Sequence, residues 1–236
     1  MDIINRVKLG WHLDLASRPE THAWVLNLYR AGERYPETVS DYFPHAHAPW
    51  PQLAEDMRLH QGDERRHVTL YGKAIAALGQ KVVELDGLDV FNEVIRRHTP
   101  AGFAVDETAS ADQRRLRLAH FLMHAHHLER RVQRSLEYHL EACARLGRSE
   151  VAGAVEKVHS DEERHVRYTR AACRELLCTT EYDNVLQLHA RAEAAADRAF
   201  SARQVRTFLR TFGGCVKWSH RVLYAGCALL MEAGNA

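Results

Sequence analysis

The chain has 236 residues, of which 46% are hydrophobic and 27% charged, and it carries a formal net charge of +1. This length fits one domain, residues 1–236, with enough apolar material for a core, and the balanced charge argues against a nucleic-acid or membrane surface. No apolar run is long enough to span a bilayer, and the N-terminus lacks a signal peptide's apolar segment. We therefore expect a cytoplasmic protein.

Cysteine and histidine usage restricts the kinds of metal site. The five cysteines are odd in number and form no Cys-x-x-Cys pair, which predicts reduced thiols and argues against a zinc ribbon or a rubredoxin-like iron site. Histidine is unusually abundant, with sixteen residues, and five of them fall between His120 and His139.

The spacing of apolar residues predicts an all-α fold, because strand-like alternation is largely absent and glycine and proline are scarce inside the long segments. The predicted helices span residues 18–43, 52–79, 112–146, 149–177, 181–199 and 202–232. Residues 1–17 are expected to be a lead-in. The connection 80–111, with a short helix over 90–97, is long enough to cross a helical bundle.

Local signals set several of these boundaries. Ser17 is expected to open the first helix and Ser149 the fourth, as capping residues. Pro36 should kink the first helix, and Gly213-Gly214 should interrupt the last one.

One five-residue pattern occurs twice. Asp-Glu-Arg-Arg-His at residues 63–67 returns as Asp-Glu-Glu-Arg-His at residues 161–165, and each copy contains Glu-x-x-His. Residues three apart lie on one face of a helix, one turn from each other. Glu64 and His67, and likewise Glu162 and His165, can therefore hold the same metal ion.

Each copy follows another glutamate at hairpin distance. Glu33 precedes Glu64 by 31 residues and Glu129 precedes Glu162 by 33. Glu64, Glu129 and Glu162 interrupt apolar helix faces, and carboxylates are rarely buried unless they are paired or bind metal. Two Glu-x-x-His pairs plus one glutamate from each of two other helices are typical of a di-iron or di-manganese site. Rim charges or salt bridges are the alternative, and Glu37 could replace Glu33.

Residues around the pairs suggest a supporting layer. Metal-bound histidine commonly donates its other N–H to a carboxylate. Asp63 and Asp161 are expected to accept these bonds, each from the histidine of the other motif. Arg66 and Arg164 could neutralise the two aspartates, or they could form a solvated face.

The pattern of Glu33, Glu64-x-x-His67, Glu129 and Glu162-x-x-His165 resembles the ferritin-like superfamily of di-iron carboxylate proteins. The resemblance covers residues 18–177 and implies a four-helix bundle with a long crossover between its second and third helices, extended by two C-terminal helices over 181–232. It implies that these six residues bind two iron ions, with Mn/Fe and Mn/Mn as alternatives.

Two details of the resemblance concern activity. The Asp-Glu-x-Arg-His form is similar to the motif of bacterial multicomponent di-iron monooxygenases, and Tyr71 stands where the ribonucleotide reductase small subunit carries its radical tyrosine, although a core tyrosine is the alternative. Rubrerythrins carry a further ligand glutamate where this chain has Val132, and usually a Cys-x-x-Cys iron domain, which makes their peroxidase activity less expected here.

These features predict an oxidoreductase that activates O₂ and acts on a small organic substrate. Electrons would come from a ferredoxin or reductase, because the chain has no flavin or nicotinamide fingerprint. Alternatives are an iron-handling or oxidative-stress protein, a structural bundle without metal, and hydroxylation of a tRNA base, which the charge does not support.

The remaining histidines and the last predicted helix each allow more than one interpretation. His60 and His126 lie within a turn of proposed ligands and could support or ligate the metal. His120, His124 and His127 share another face and are expected to be solvated or intersubunit, or to form a weak surface metal site. The last predicted helix has a wide apolar face that could form a homodimer or pack on the bundle. That face comprises Val205, Phe208, Leu209, Phe212, Val216, Val222 and Leu223.

Overall fold

A computed structural model describes residues 2–39, 42–85, 90–99 and 108–234, and over these ranges the chain is helical without strands. The α-helices are α1 (Ile3–Ala16), α2 (Pro19–Arg34), α3 (Pro51–Ala77), α4 (Phe91–Arg97), α5 (Ala111–Leu146), α6 (Ser149–Leu176), α7 (Thr179–Phe212) and α8 (Trp218–Ala233). The all-α prediction is confirmed. Helices α3 to α6 begin and end within two residues of their predicted bounds, and part of the 80–111 connection lies outside the described residues.

The N-terminal segment is a helix, so the predicted lead-in was wrong. The Asp2 side chain caps α1 by accepting a hydrogen bond from the Asn5 backbone N–H at 2.8 Å. The face that α1 buries includes His12 and Leu15. A histidine on the buried face interrupts the apolar repeat, which explains why the spacing did not indicate a helix. The next helix starts after Arg18 as its N-cap, and Ser17 ends α1 instead of opening α2.

Pro36 ends α2 instead of kinking it. The α-helix stops at Arg34 and continues as a single 3₁₀ turn over Tyr35–Thr38. Proline has no backbone N–H to donate to the carbonyl four residues earlier, and its ring clashes with that carbonyl. Similarly, Arg148 is the N-cap of α6, so Ser149 is its first helical residue rather than the cap.

Helix α7 is continuous where a break was predicted between residues 199 and 202. Ser201 donates a hydrogen bond to the Asp197 carboxylate at 2.9 Å within the same helix, and Ala202 and Val205 continue the buried face. The predicted break at Gly213-Gly214 is confirmed, because a 3₁₀ turn, Gly213–Cys215, separates α7 from α8.

Helices α2, α3, α5 and α6 pack together, with α2 along α3, α5 along α6, and α3 against α6. Two apolar clusters fill opposite ends of this assembly. One includes Met57 and Leu122, and the other includes Ile75, Leu136 and Val155. Residues 60–67 of α3, which include Glu64 and His67, lie between the two clusters. Glu129 of α5 and Glu162 of α6 likewise lie between residues of one cluster and residues of the other.

The C-terminal helices α7 and α8 pack on α1 and α2. Phe208 and Val216 are buried in a third apolar cluster with Leu15 and Trp24, so this part of the apolar face packs on the rest of the chain. Other apolar side chains of α8 are exposed, among them Val222, Leu223, Trp218, Leu229 and Leu230. Among the described helices, none combines the length and apolar character needed to cross a membrane.

The packing of α7 predicts a large stability effect at Phe208. Its ring is fully buried, with ring centroids 4.8 Å from Trp11 and 5.5 Å from Trp24. Phe208→Ala should lower the free energy of unfolding by about 3–5 kcal/mol, because it leaves a cavity among these aromatic rings. Urea denaturation followed by circular dichroism measures the change. Leu230→Ala, at a side chain that is 76% exposed, should change it by less than about 0.5 kcal/mol. Equal effects of the two substitutions would contradict this packing.

Candidate metal centre

All six predicted ligands converge between the two apolar clusters of the helical assembly. Their side chains come from four helices, and each residue is at most 7% exposed. The contributions are Glu33 from α2, Glu64 and His67 from α3, Glu129 from α5, and Glu162 and His165 from α6. Because each helix carries its carboxylate on the face that packs inward, four acidic groups meet in an otherwise apolar interior.

The ligand atoms form two groups. In the first, Glu33, His67 and Glu162 offer atoms that all lie within 4.8 Å of one another. His67 Nδ1 is 3.2 Å from Glu33 Oε2 and 3.6 Å from Glu162 Oε1. Two carboxylates and one imidazole thus face a common point.

The second group contains His60, Glu64, Glu129 and His165. His60 Nε2 is 3.0 Å from Glu64 Oε1 and 3.3 Å from Glu129 Oε1. The His60 ring stacks on the His165 ring with centroids 3.6 Å apart. His60, predicted only to support or ligate, is therefore a member of the cluster, and its group has one more imidazole than the other.

Glu64 and Glu162 connect the two groups. The Glu64 carboxyl belongs to the second group, and burial and then the charge of Glu33 in the first group raise its pKa. The Glu162 carboxyl belongs to the first group, and burial and then the charge of Glu129 in the second group raise its pKa. Its Oε2 lies 2.8 Å from His165 Nδ1. These two glutamates thus lie between the two groups.

Burial and mutual repulsion make the cluster unfavourable without a cation. Burial, and then the charges of neighbouring glutamates, raise the pKa of Glu64 and Glu162 well above the usual carboxyl value. Glu162 Oε1 is buried with no hydrogen-bond partner within the described part of the chain. Four carboxylates balance the charge of two divalent ions, so this donor set fits two such ions.

The pKa values of the two predicted ligand histidines are shifted in opposite directions. Burial, and then the neighbouring His60, lower the pKa of His165 to about 3, which keeps its imidazole neutral as metal binding requires. Burial also lowers the pKa of His67, but Glu33 and Asp161 outweigh it and leave that pKa above the ordinary value. The metal-free cluster therefore favours a proton on His67, which a cation would displace.

The expected crossed contacts are present outside the cluster. His67 Nε2 is 3.2 Å from Asp161 Oδ2, and His165 Nε2 is 3.2 Å from Asp63 Oδ2. Each ring thereby turns its Nδ1 toward the glutamates. The role of these contacts in metal binding stays a prediction.

Two arginines complete this layer at the protein surface. Arg66 Nη2 is 2.6 Å from Asp161 Oδ2 and also pairs with Asp63, while Arg164 pairs with Asp63. Their side chains are 43% and 41% exposed, so each spans from solvent to a buried aspartate. Hydrogen bonds from Arg66 and His67 outweigh the effect of burial and lower the pKa of Asp161. The aspartates are thus held ionised.

The structure also shows where Glu37, His126 and Tyr71 lie relative to the cluster. Glu37 is exposed and pairs with Arg65 at 3.1 Å, so Glu33 is the α2 carboxylate of the cluster. His126 Nδ1 lies 3.1 Å from the Val166 carbonyl and is not part of either ligand group.

Tyr71 is fully buried, and its hydroxyl has no hydrogen-bond partner within the described residues. Burial, and then Glu33, raise its pKa well above the ordinary value, and its redox role stays a prediction.

The expectation that His120, His124 and His127 are solvated or intersubunit was wrong. His124 and His127 are buried, and His120 is partly buried. His120 Nδ1 is 3.1 Å from His189 Nε2 of α7, and His124 Nε2 is 3.1 Å from Asn92 Oδ1 of α4. Helices α4 and α7 cover this face of α5, and nothing in the spacing within α5 indicates which element covers it.

Tyr168 is a site residue that the sequence analysis missed. Its hydroxyl lies 2.8 Å from His60 Nδ1, so it fixes the ring that faces Glu64 and Glu129. The signal was its position three residues after His165, on the same side of α6.

Comparison of the chain with protein-family models, with curated proteins and with solved structures finds no match. The resemblance to ferritin-like proteins that the sequence motifs suggest therefore stays a prediction.

The charge of the cluster predicts opposite effects of one substitution on stability and on metal binding. Glu162→Gln should raise the unfolding free energy of the metal-free protein by about 1–4 kcal/mol, because it removes a buried carboxylate that others repel. It should also weaken Mn²⁺ binding by more than about 100-fold, since loss of an outer-shell partner alone costs 10–100-fold. Urea denaturation and isothermal titration calorimetry measure the two quantities.

The neighbouring Glu163 provides the matched control. Its side chain is exposed within the same motif, so Glu163→Gln should leave both quantities unchanged. Loss of stability in metal-free Glu162→Gln, with unaltered Mn²⁺ affinity, would contradict a cation-dependent cluster.

Proposed function

We propose that the chain is a ferritin-like di-iron oxidoreductase that activates O₂ to oxidise a small organic substrate. The observation that carries this proposal is the pair of buried Glu/His groups joined by Glu64 and Glu162. Mixed carboxylate and imidazole donors suit iron or manganese, whereas structural zinc more often has cysteine ligands. Two bound iron ions would supply the redox chemistry that the side chains lack.

The chain's own residues have distinct tasks in this proposal. The four glutamates balance the charge of two divalent ions, and His67 and His165 present neutral Nδ1 atoms. Asp161 and Asp63 fix those ring orientations, as carboxylates commonly do for ligand histidines. The apolar clusters on either side exclude water, which strengthens every electrostatic interaction between them.

A cavity next to the cluster supports a small apolar substrate. Its volume is about 130 Å³, and Glu33, Glu64 and Glu129 form part of its wall. Much of the remaining lining is apolar and includes Leu28, Phe43, Phe91, Leu128, Val132 and Leu136. An engineered apolar cavity of roughly 150 Å³ binds benzene. We therefore infer that the group to be oxidised is apolar and about the size of a single ring.

Val132 contributes to that wall at the position where rubrerythrins carry a further ligand glutamate. An apolar side chain here leaves space beside the carboxylates and supports oxidation of an organic group over peroxide reduction. The electrons would come from a separate donor such as a ferredoxin or reductase, which we include in the proposal.

Turnover with a cavity-filling variant tests this function. Metal-free protein is loaded anaerobically with Fe²⁺, then given O₂, a chemical reductant and toluene as a single-ring probe. The wild type should bind two Fe²⁺ per chain and yield hydroxylated toluene, detected by mass spectrometry. Val132→Phe should bind two Fe²⁺ and oxidise them, but its product yield should fall at least about tenfold, since the added ring occupies the cavity.

Leu230→Phe, at an exposed position on α8, is the control and should behave as the wild type. Fe²⁺ oxidation in the wild type without product from toluene or other single-ring probes would favour an iron-handling protein. A chain that binds no Fe²⁺ would indicate a structural bundle.

A further inference from the structure

A second group of metal-binding side chains lies away from the glutamate cluster. His22 of α2 and His139 and Cys143 of α5 are each at most 1% exposed. His139 and Cys143 are four residues apart and so share one face of α5, which meets α2 at His22. None of the three belongs to the site proposed above.

The donor atoms of these residues converge. His22 Nε2 is 2.8 Å from His139 Nε2, and Cys143 Sγ is 3.9 Å from His22 Nε2. All three ligand atoms lie within 4.8 Å of one another. Two nitrogens that share a three-coordinate ion at roughly 2.0–2.1 Å lie about 3.5 Å apart, so an increase of about 0.7 Å in their separation would admit one.

Without a metal, the two neutral imidazoles cannot form hydrogen bonds with all of their ring nitrogens. Only one of the two facing Nε2 atoms can carry the proton between them, and His22 Nδ1 is buried without a hydrogen-bond partner in the described residues. Burial lowers the pKa of His22 to about 4, so a second proton is unfavourable. A cation would instead use both Nε2 lone pairs.

Tyr29 provides the support that a ligand histidine needs. Its hydroxyl is 3.2 Å from His139 Nδ1 and 3.5 Å from Ser135 Oγ. With a metal at Nε2, the proton of His139 lies on Nδ1 and is donated to the Tyr29 oxygen. Such a contact holds the ring and its tautomer, as in known metal sites.

We propose that His22, His139 and Cys143 bind one thiophilic metal ion, Cu⁺ in preference to Zn²⁺. Thiolate and imidazole together select such ions. Three converging, water-excluded donors suit a three-coordinate monovalent ion, whereas structural zinc is almost always four-coordinate. One thiolate and one Cu⁺ sum to zero charge, which matters because charge is costly in an interior.

Binding exchanges one proton for the ion. Burial raises the pKa of the Cys143 thiol to about 11, so the metal-free cysteine carries its proton. Cu⁺ forms bonds to Sγ and to the two Nε2 atoms, the S–H bond breaks, and the proton leaves to solvent. No electron is transferred, and the inference does not depend on the function proposed above.

A competition titration tests this site. Cys178, Cys215 and Cys227 are exposed or partly exposed and would bind copper adventitiously, so each is first replaced by serine. Cu⁺ is then added anaerobically to the metal-free chain against bicinchoninate. This background protein should bind one Cu⁺, and X-ray absorption should show one sulfur and two nitrogen neighbours.

Two further variants in this background distinguish the site from thiol binding in general. Cys143→Ser should weaken Cu⁺ binding by more than about 100-fold, and Tyr29→Phe by about 10–100-fold. Cys173→Ser is the matched control, because Cys173 is an equally buried thiol that donates to the Ala119 carbonyl and lies outside the cluster. It should leave the affinity unchanged.

Copper bound to nitrogen and oxygen only, or no Cu⁺ retained against bicinchoninate, would overturn the proposal even if a variant failed to fold. One Zn²⁺ held by these residues in competition with Cu⁺ would overturn the preference for copper.

Discussion

Four carboxylates buried between apolar clusters are the feature on which the rest of the structure depends. Desolvation and mutual repulsion each disfavour their charged form, and the raised pKa of Glu64 and Glu162 reflects both effects. A helical core without function would be more stable with apolar residues at these positions. Two bound divalent ions, as proposed, would offset this cost, because their charge balances that of four carboxylates.

The crossed aspartates show how the two motif copies depend on each other. Asp63 contacts the histidine of the second copy, and Asp161 contacts that of the first. Each ligand histidine is therefore oriented in part by the aspartate of the other helix, and His165 is also in contact with Glu162 of its own helix. The contact between α3 and α6 thus includes these buried polar bonds as well as packing.

Periodicity allowed much of the fold and site to be predicted, and its failures have physical causes. Glu64, His67, Glu162 and His165 could be placed because three-residue spacing on a helix fixes their relative position. His60 could be placed near the cluster by the same spacing, but its ring direction depends on Tyr168 from another helix. The burial of His124 depends on α4 and α7, which lie far from α5 in sequence, so no local pattern could reveal it.

The two halves of the site are related by sequence but are not equivalent. An offset of 98 residues relates Glu64 to Glu162 in the sequence. At the same offset, Val158 corresponds to His60 and Thr169 corresponds to Tyr71. The His60 imidazole adds a fourth donor to the Glu129 and His165 group, whereas the Glu33 and His67 group has three. Glu33 of the first group and Glu64 and Glu129 of the second all line the apolar cavity, so a substrate held there would lie beside both groups.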